Sequence, residues 1–361
     1  MGSEQMRVTE NEENPSKIPS EERRAERSGI EAVVSICVPA LMFLMVGAHR
    51  LSHGGIESRK RSVPSIPTRI LTVSKAIPGI GSLTGEPKQV TVQPGETLLQ
   101  IARQHNTDTV SLLRLNRLKS ATLSAGQSLR LPTMHVVPFA PREGIVLNIP
   151  ERGVYLFHNG HLKARYPVAV GARTWETPVG TFKLVRKVIN PAWVPPKVMV
   201  QREGIPSFRV PPGKTNPLGD RWMGWSAPEV GFHSTPLVET VGQYASHACV
   251  RLYPESAHAL FDRVSLGTPI YALYEPILIG KQEHDYYLSV SPDIYGKKPV
   301  SLANVRKRVE KAGLGSLVNW SRIEAIARGQ DGYPYRITRH ETPEPQTHET
   351  AREKGRPSPA F

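Results

Sequence analysis

Between residues 144 and 273, short runs of Val, Ile, Leu and aromatic residues are broken every few positions by glycine and proline. That rhythm confines this part of the chain to a mainly β architecture. Residues 145–149 and 154–157 flank the turn composition 150–153 and read as a hairpin. Residues 166–171 and, beyond the loop 172–178, residues 179–184 read as further strands, and 269–273 closes the set. One helix interrupts them over 254–264, with Leu260, Phe261 and Val264 facing inward. The expected product is a β-sandwich-type or barrel-like sheet. Residues 190–225 are rich in proline and tryptophan and show no periodicity. They are expected to form a wall or lid of a site, because long irregular loops in compact domains are often functional.

The flanking segments read differently. Residues 1–28 are polar and charged, cannot bury a core and are expected to form a disordered cytoplasmic tail. They end in Arg23, Arg24 and Arg27, before a charge-free run of seventeen residues from Ala32 to Ala48. Such a run is short for a membrane span of about 20 residues and long for a signal peptide. Residues 30–48 are therefore expected to be a membrane anchor or a signal segment, and Val46, Gly47 and Ala48 would suit cleavage. Either outcome means export to the cell envelope, membrane-anchored or periplasmic, because the arginines hold the preceding side in the cytoplasm. Residues 49–88 have the composition of a linker. Helical patterns around Val305, Val309, Leu314 and Leu317, then Ile323, Ala325 and Ile326, make 277–338 a partly helical C-terminal extension that could pack on the preceding domain. Residues 339–361 read as a disordered tail. The net charge of +14 suits either solubility or an anionic partner such as a cell-envelope polymer, and no nucleic-acid motif accompanies it.

Residues 89–133 form a compact unit of their own. Val90, Thr91 and Val92 read as a strand, Pro94 and Gly95 as a turn, and Thr97 as the cap of a helix holding Leu98, Ile101 and Ala102. A second helix holds Val110, Leu112, Leu113 and Leu115, and residues 125–132 turn into a closing strand. The segments "TVQPGETLLQIA", "LLRLN" and "LSAGQSLRLP" resemble the LysM family closely. The resemblance implies a small βααβ domain that binds the N-acetylglucosamine-containing glycan strands of peptidoglycan or chitin.

Of two cysteines, Cys37 lies in the apolar N-terminal run, which leaves Cys249 as a lone thiol. His233 stands sixteen positions before it and His247 two positions before it. A thiol becomes a strong nucleophile as thiolate, and a nearby imidazole is the usual means of making it one. Both histidines are candidate bases. His233, on a separate segment, can approach the sulfur freely, whereas a residue two positions away on a strand is placed as a neighbour.

The order "FHST" then "SHACVRL" resembles the signature of the L,D-transpeptidase catalytic domain, the YkuD family. The likeness extends to "YPVAVG", "TPVGTF", "NPAWVPP", "PPGKTNPLGDRWM" and "LGTPIYAL", and implies a catalytic domain over 144–276. It implies Cys249 as nucleophile and His233 as base, with the Ser234 carbonyl orienting the imidazole. Backbone amides of Ala248 and Cys249 would stabilise the oxyanion, and Ser246, His247 and Arg251 would shape the pocket. Arg251 would meet either a substrate carboxylate or a structural acid. The implied reaction takes a peptidoglycan tetrapeptide stem, expels its terminal D-Ala and passes the acyl group to an amine of another stem, with no cofactor and no metal. One departure stands out: residue 248 is Ala where the family usually has Gly, and a Cβ there is costly if φ is positive. Hydrolysis by the same acyl-enzyme, as an L,D-carboxypeptidase, is one rival. A non-catalytic peptidoglycan-binding scaffold is another, and a zinc site from His233, His247, Cys249 and His258 is a third.

Overall fold

The computed structural model describes residues 80–339. The expected tail 1–28, the segment 30–48 with Cys37, most of the linker 49–88 and nearly all of the tail 339–361 lie outside the described residues. Among the described residues no helix is long and apolar enough to cross a membrane.

Strand β1 (Gly81–Thr84) precedes β2 (Lys88–Thr91), α1 (Leu98–Gln104), α2 (Thr109–Asn116) and β3 (Ser128–Leu131). β2 and β3 pair antiparallel, Lys88 opposite Leu131, and both helices close over them around Val92, Leu98, Ile101, Leu112 and Leu129. The strand, helix, helix, strand order is the expected one, and the helix starts have local causes. Thr97 takes the Gln100 amide on its hydroxyl at 3.2 Å while the Gln100 side chain accepts the Thr97 amide at 2.8 Å, a reciprocal cap. Asp108 opens α2 by accepting the Ser111 amide at 2.8 Å.

After the short β4 (His135–Val136), the chain lays down β5 (Gly144–Asn148), β6 (Gly153–His158), β7 (His161–Pro167), β8 (Val170–Gly171) and β9 (Gly180–Ile189). Helix α3 (Lys197–Glu203) and strands β10 (Arg221–Trp225), β11 (Gly231–Ser234), β12 (Tyr244–Ser246) and β13 (Val250–Leu252) follow. Helix α4 (Pro254–Arg263) and β14 (Pro269–Leu273) complete this part. Eight strands form one mixed sheet in the order β13-β11-β10-β9-β14-β5-β6-β7. The expected hairpin is β5 and β6, Ile145 opposite Leu156. Ala257, Leu260 and Phe261 of α4 join Phe232, Val250 and Leu252 in the core of this sheet.

Two expectations are corrected here. Residues 166–171 are not one strand: β7 ends at Pro167, which cannot donate to a ladder, and β8 pairs with β12 outside the large sheet. Residues 190–225 are not irregular throughout, since they hold α3 and β10. The Asn216 side chain ties the remainder, donating to the carbonyls of Pro191 and Pro211 at 2.9 and 3.0 Å.

Strands β15 (Ile277–Gln282) and β16 (Asp285–Val290), helices α5 (Leu302–Lys311) and α6 (Trp320–Gly329), and β17 (Tyr335–Arg336) make the C-terminal part. Its sheet runs β17-β16-β15-β1-β4, so β1, from within the expected linker, is a strand paired parallel to β15. The two helices do not pack on the preceding domain's core. They cover this second sheet, with Val305, Val309, Ile323 and Ile326 against Ile279, Leu288 and Val290, while Leu317 stays 48% exposed. A four-residue strand whose partner lies almost two hundred positions away carries no local signal of that pairing.

The unit formed by β2, α1, α2 and β3 is fastened to α4 and β7. Arg103 donates through Nε and Nη2 to the two carboxylate oxygens of Glu255 at 3.0 and 2.9 Å, and Asn106 donates to the Arg165 carbonyl at 2.6 Å.

Candidate active site

β11 and β13 run parallel, with Phe232 beside Val250, His233 beside Arg251 and Ser234 beside Leu252. Side chains alternate along a strand, so the fully buried Phe232, Val250 and Leu252 face the core while His233 and Arg251 share the opposite face. Cys249, a free and partly exposed cysteine, sits just ahead of β13. Its thiol donates to the Glu229 carbonyl at 3.5 Å, just ahead of β11. The sheet register thus brings together the two residues that stand sixteen apart in sequence, and Arg251 is a charged neighbour of both.

His233 is buried, and its Nδ1 donates to the Ser234 carbonyl at 2.6 Å. That bond fixes the tautomer and leaves Nε2 with its lone pair. Burial, with Arg251 beside it, pushes the imidazole down to about 3, against the opposing pull of the Ser234 and Leu218 carbonyls. Burial pushes the Cys249 thiol up to about 11, although the Gly231 amide and Arg251 favour the thiolate. Both groups are therefore neutral at rest. Arg251 itself is buried and its guanidinium donates to the Thr240 hydroxyl at 3.4 Å, not to an acid.

His247 is turned elsewhere. Its Nε2 meets a Glu203 carboxylate oxygen at 2.8 Å and its ring lies edge-on to Trp175, 5.1 Å between centroids. Arg202 in turn stacks over Trp175 at 4.1 Å. The short helix α3 thus supplies Glu203 to His247 and Arg202 to Trp175, and holds His247 by the nitrogen that faces Glu203. Among the described residues no three or more His, Cys, Asp or Glu side chains are grouped so as to hold a metal ion; His258, on α4, meets Asp220 at 2.6 Å.

The turn before Cys249 is fastened on every side. Ser246 donates to the Cys249 carbonyl, the Ala248 amide donates to the Trp175 carbonyl at 3.1 Å, and the Ala248 carbonyl accepts the Thr177 hydroxyl at 2.9 Å. Thr177 is fully buried, and its own amide donates to Tyr295 Oη at 3.2 Å. One expectation changes here: with its N–H on Trp175, Ala248 does not have a free amide for an oxyanion, and Cys249 does not share that commitment.

Ala248 adopts φ +71°, the left-handed region that costs a residue with a Cβ about 1 kcal/mol or more. Replacing Ala248 by Gly is expected to raise stability by about 0.5–1 kcal/mol in urea denaturation, the removed strain outweighing the added freedom of the unfolded chain. The bonds from Thr177 and to Trp175 already hold the turn, so its geometry should persist in the variant. A lower unfolding midpoint for the glycine variant would refute the strain.

Sequence reasoning missed the residues behind the histidine. The Ser234 hydroxyl accepts the amides of Asp220 and Arg221 at 2.8 and 3.1 Å, and Gly219 passes so close that a Cβ would lie 2.3 Å from that oxygen. The segment "TNPLGDRWM" was the available signal, but only the fold shows that its Gly and Asp serve Ser234.

The family described as the L,D-transpeptidase catalytic domain (YkuD) matches residues 142–271, and the LysM domain family matches residues 90–132. "Probable L,D-transpeptidase YcfS" of Escherichia coli (strain K12) is 31% identical over 219 residues, which is 57% of this chain and 68% of that protein. "Probable L,D-transpeptidase YbiS" of the same strain is 29% identical over 216 residues, 57% of this chain and 70% of that protein. "Probable L,D-transpeptidase ErfK/SrfK" of Salmonella typhimurium (strain LT2) is 26% identical over 289 residues, 74% of this chain and 92% of that protein.

Proposed function

The chain belongs to the L,D-transpeptidase family, and from that premise we propose that it is a cysteine acyltransferase acting on peptidoglycan tetrapeptide stems. The observation that carries the reading is the His233 Nδ1 bond to the Ser234 carbonyl at 2.6 Å, which leaves Nε2 as a proton acceptor on the face shared with Arg251, on the strand beside the one that Cys249 leads into. In the proposed reaction Nε2 takes the Cys249 proton as sulfur bonds to the carbonyl carbon of the third stem residue. The resulting oxyanion is met by the Cys249 amide. Collapse breaks the carbon–nitrogen bond, and the imidazolium returns its proton to the departing D-Ala amine. An amine of a second stem then attacks the thioester, gives its proton to the imidazole and releases the thiol. Resolution by the amine cross-links or remodels the wall. The LysM domain would hold the glycan strand, and the fixed Arg103–Glu255 contact keeps it on the catalytic domain. Such a substrate places the chain in the cell envelope, and the segment 30–48 is the proposed means of export, as an anchor or as a signal segment.

Incubation with disaccharide-tetrapeptide should add one disaccharide-tripeptide acyl group to the intact mass of the protein, and Cys249→Ala should add none. Muropeptide analysis should then show cross-linked product, whereas free tripeptide stems alone would assign water as the acceptor. Folded wild type that forms no adduct would overturn the reading.

A further inference from the structure

The Ser234 hydroxyl is held by one loop: besides accepting the amides of Asp220 and Arg221, it donates to Asp220 Oδ1 at 2.8 Å, with the Leu218 carbonyl a longer alternative acceptor at 3.3 Å. The other oxygen of that carboxylate, Oδ2, meets His258 Nε2 at 2.6 Å. His258 comes from α4, which supplies none of the residues on the cysteine face. The Asp220 and His258 side chains are 40% and 42% exposed, so their contact adds little to stability. Asp220 Oδ2 also accepts from Arg221 Nη1 at 3.2 Å, so the carboxylate is held from two sides while its Oδ1 takes the hydroxyl of the serine whose carbonyl accepts the His233 Nδ1 hydrogen bond. Gly219 completes the device, because any side chain there would displace the Ser234 hydroxyl.

We propose that Asp220 and His258 are positioning residues: by fixing Ser234 they set the orientation of the His233 imidazole, and with it the direction in which Nε2 faces the thiol. The effect on rate rests on the acyltransferase reading; the effect on the His233 hydrogen bond does not. A misplaced base is expensive, since an error of about 1 Å in a catalytic group can cost about 10²-fold.

The test combines two readouts on the full chain. With ¹⁵N-labelled histidine, the His233 Nδ1–H should give a slowly exchanging downfield proton resonance, assigned by its loss in His233→Gln. Asp220→Ala should shift or broaden that resonance and slow Cys249 acylation by stem peptide about 10–100-fold, with KM little changed. His258→Ala should slow it less, by about 3–10-fold, because the amide-held part of the Ser234 contacts survives. His258→Gln, whose side-chain amide can still donate to Asp220, should recover most of the rate. On the Asp220→Ala background, His258→Ala should change nothing further, as expected of a residue that acts only through its partner. An Asp220→Ala protein with an unaltered resonance and rate would overturn the proposal, and so would full additivity of the two alanine changes. Should Asp220→Ala fail to fold, Asp220→Asn, similar in shape but neutral, decides the same question. If wild type shows the resonance but never acylates, the acyltransferase reading falls, while the response of the resonance to Asp220→Ala still decides the positioning.

Discussion

Alkylation of Cys249 by iodoacetamide is expected to accelerate about tenfold for every pH unit from pH 6 to beyond pH 9, without a plateau near neutrality. The reason is the burial that pushes this thiol up to about 11, so that roughly one molecule in 10⁴ carries the thiolate at pH 7. A preformed thiolate–imidazolium pair would behave in the opposite way, reacting at a constant rate from mildly acidic pH upward. Such a pair is disfavoured because the same enclosure pushes His233 down to about 3 and Arg251 adds a positive neighbour. On the proposed acyltransferase reading, the thiol is deprotonated during attack on the substrate, when the carbonyl oxygen takes up the charge that the site will not keep on sulfur. His233→Gln is accordingly expected to leave the iodoacetamide slope nearly unchanged while lowering acylation by stem peptide about 10²–10⁴-fold, the usual worth of a positioned base. Peptide mapping after alkylation separates Cys249 from Cys37. A plateau between pH 5 and 8 that vanishes in His233→Gln would show that the ion pair exists at rest and would refute this account.

What could be read from the sequence was whatever has a local cause. Thr97 and its Gln100 partner announce α1 within four residues, and the 150–153 turn announces the hairpin of β5 and β6. The spacing of His233 and Cys249 was legible because the thiol and imidazole chemistry limits which residues can serve, and the choice of His233 over His247 followed from chain geometry. The structure adds a Glu203 partner for His247 on α3, a helix hidden in a stretch that looks irregular. The remainder was silent because it depends on contacts across long separations. Asp220 lies fourteen positions from Ser234 and His258 another thirty-eight beyond Asp220. Tyr295 supports Thr177 across 118 positions, and β1 finds β15 from the far side of the whole catalytic domain. Composition and periodicity describe faces of elements, and these contacts are set by which faces the topology brings together.

Acidification should destabilise this protein well before its carboxylates begin to be protonated. Two histidines are held neutral by burial: His233, down to about 3, and His135, down to about 4 with Arg165 adding to the effect and Glu151, 3.4 Å away, opposing it. In the unfolded chain both titrate near the ordinary value of 6.5. Above that pH neither state binds the proton and the groups contribute no pH dependence. As the pH falls from 6.5 toward 4, the unfolded chain takes up protons that the folded chain refuses, and stability is lost continuously across that window. At about 1.36 kcal/mol per pH unit, each histidine costs about 2 kcal/mol between pH 7 and pH 5, or about 4 kcal/mol together. That is a large share of a typical margin of about 5–15 kcal/mol. The depressed carboxylates Glu151 and Asp220 act in the same direction but only below about 4.5, where the unfolded carboxylates start to protonate, so the interval from pH 7 to 5 belongs mainly to the histidines. Urea denaturation at pH 7, 6 and 5 measures the slope directly. His135→Gln keeps a donor for Glu151 and cannot take up a proton, and it should remove about half of the loss. A stability that stays flat to pH 5, or an unchanged slope in His135→Gln, would mean that these imidazoles are hydrated and titrate normally in the folded protein.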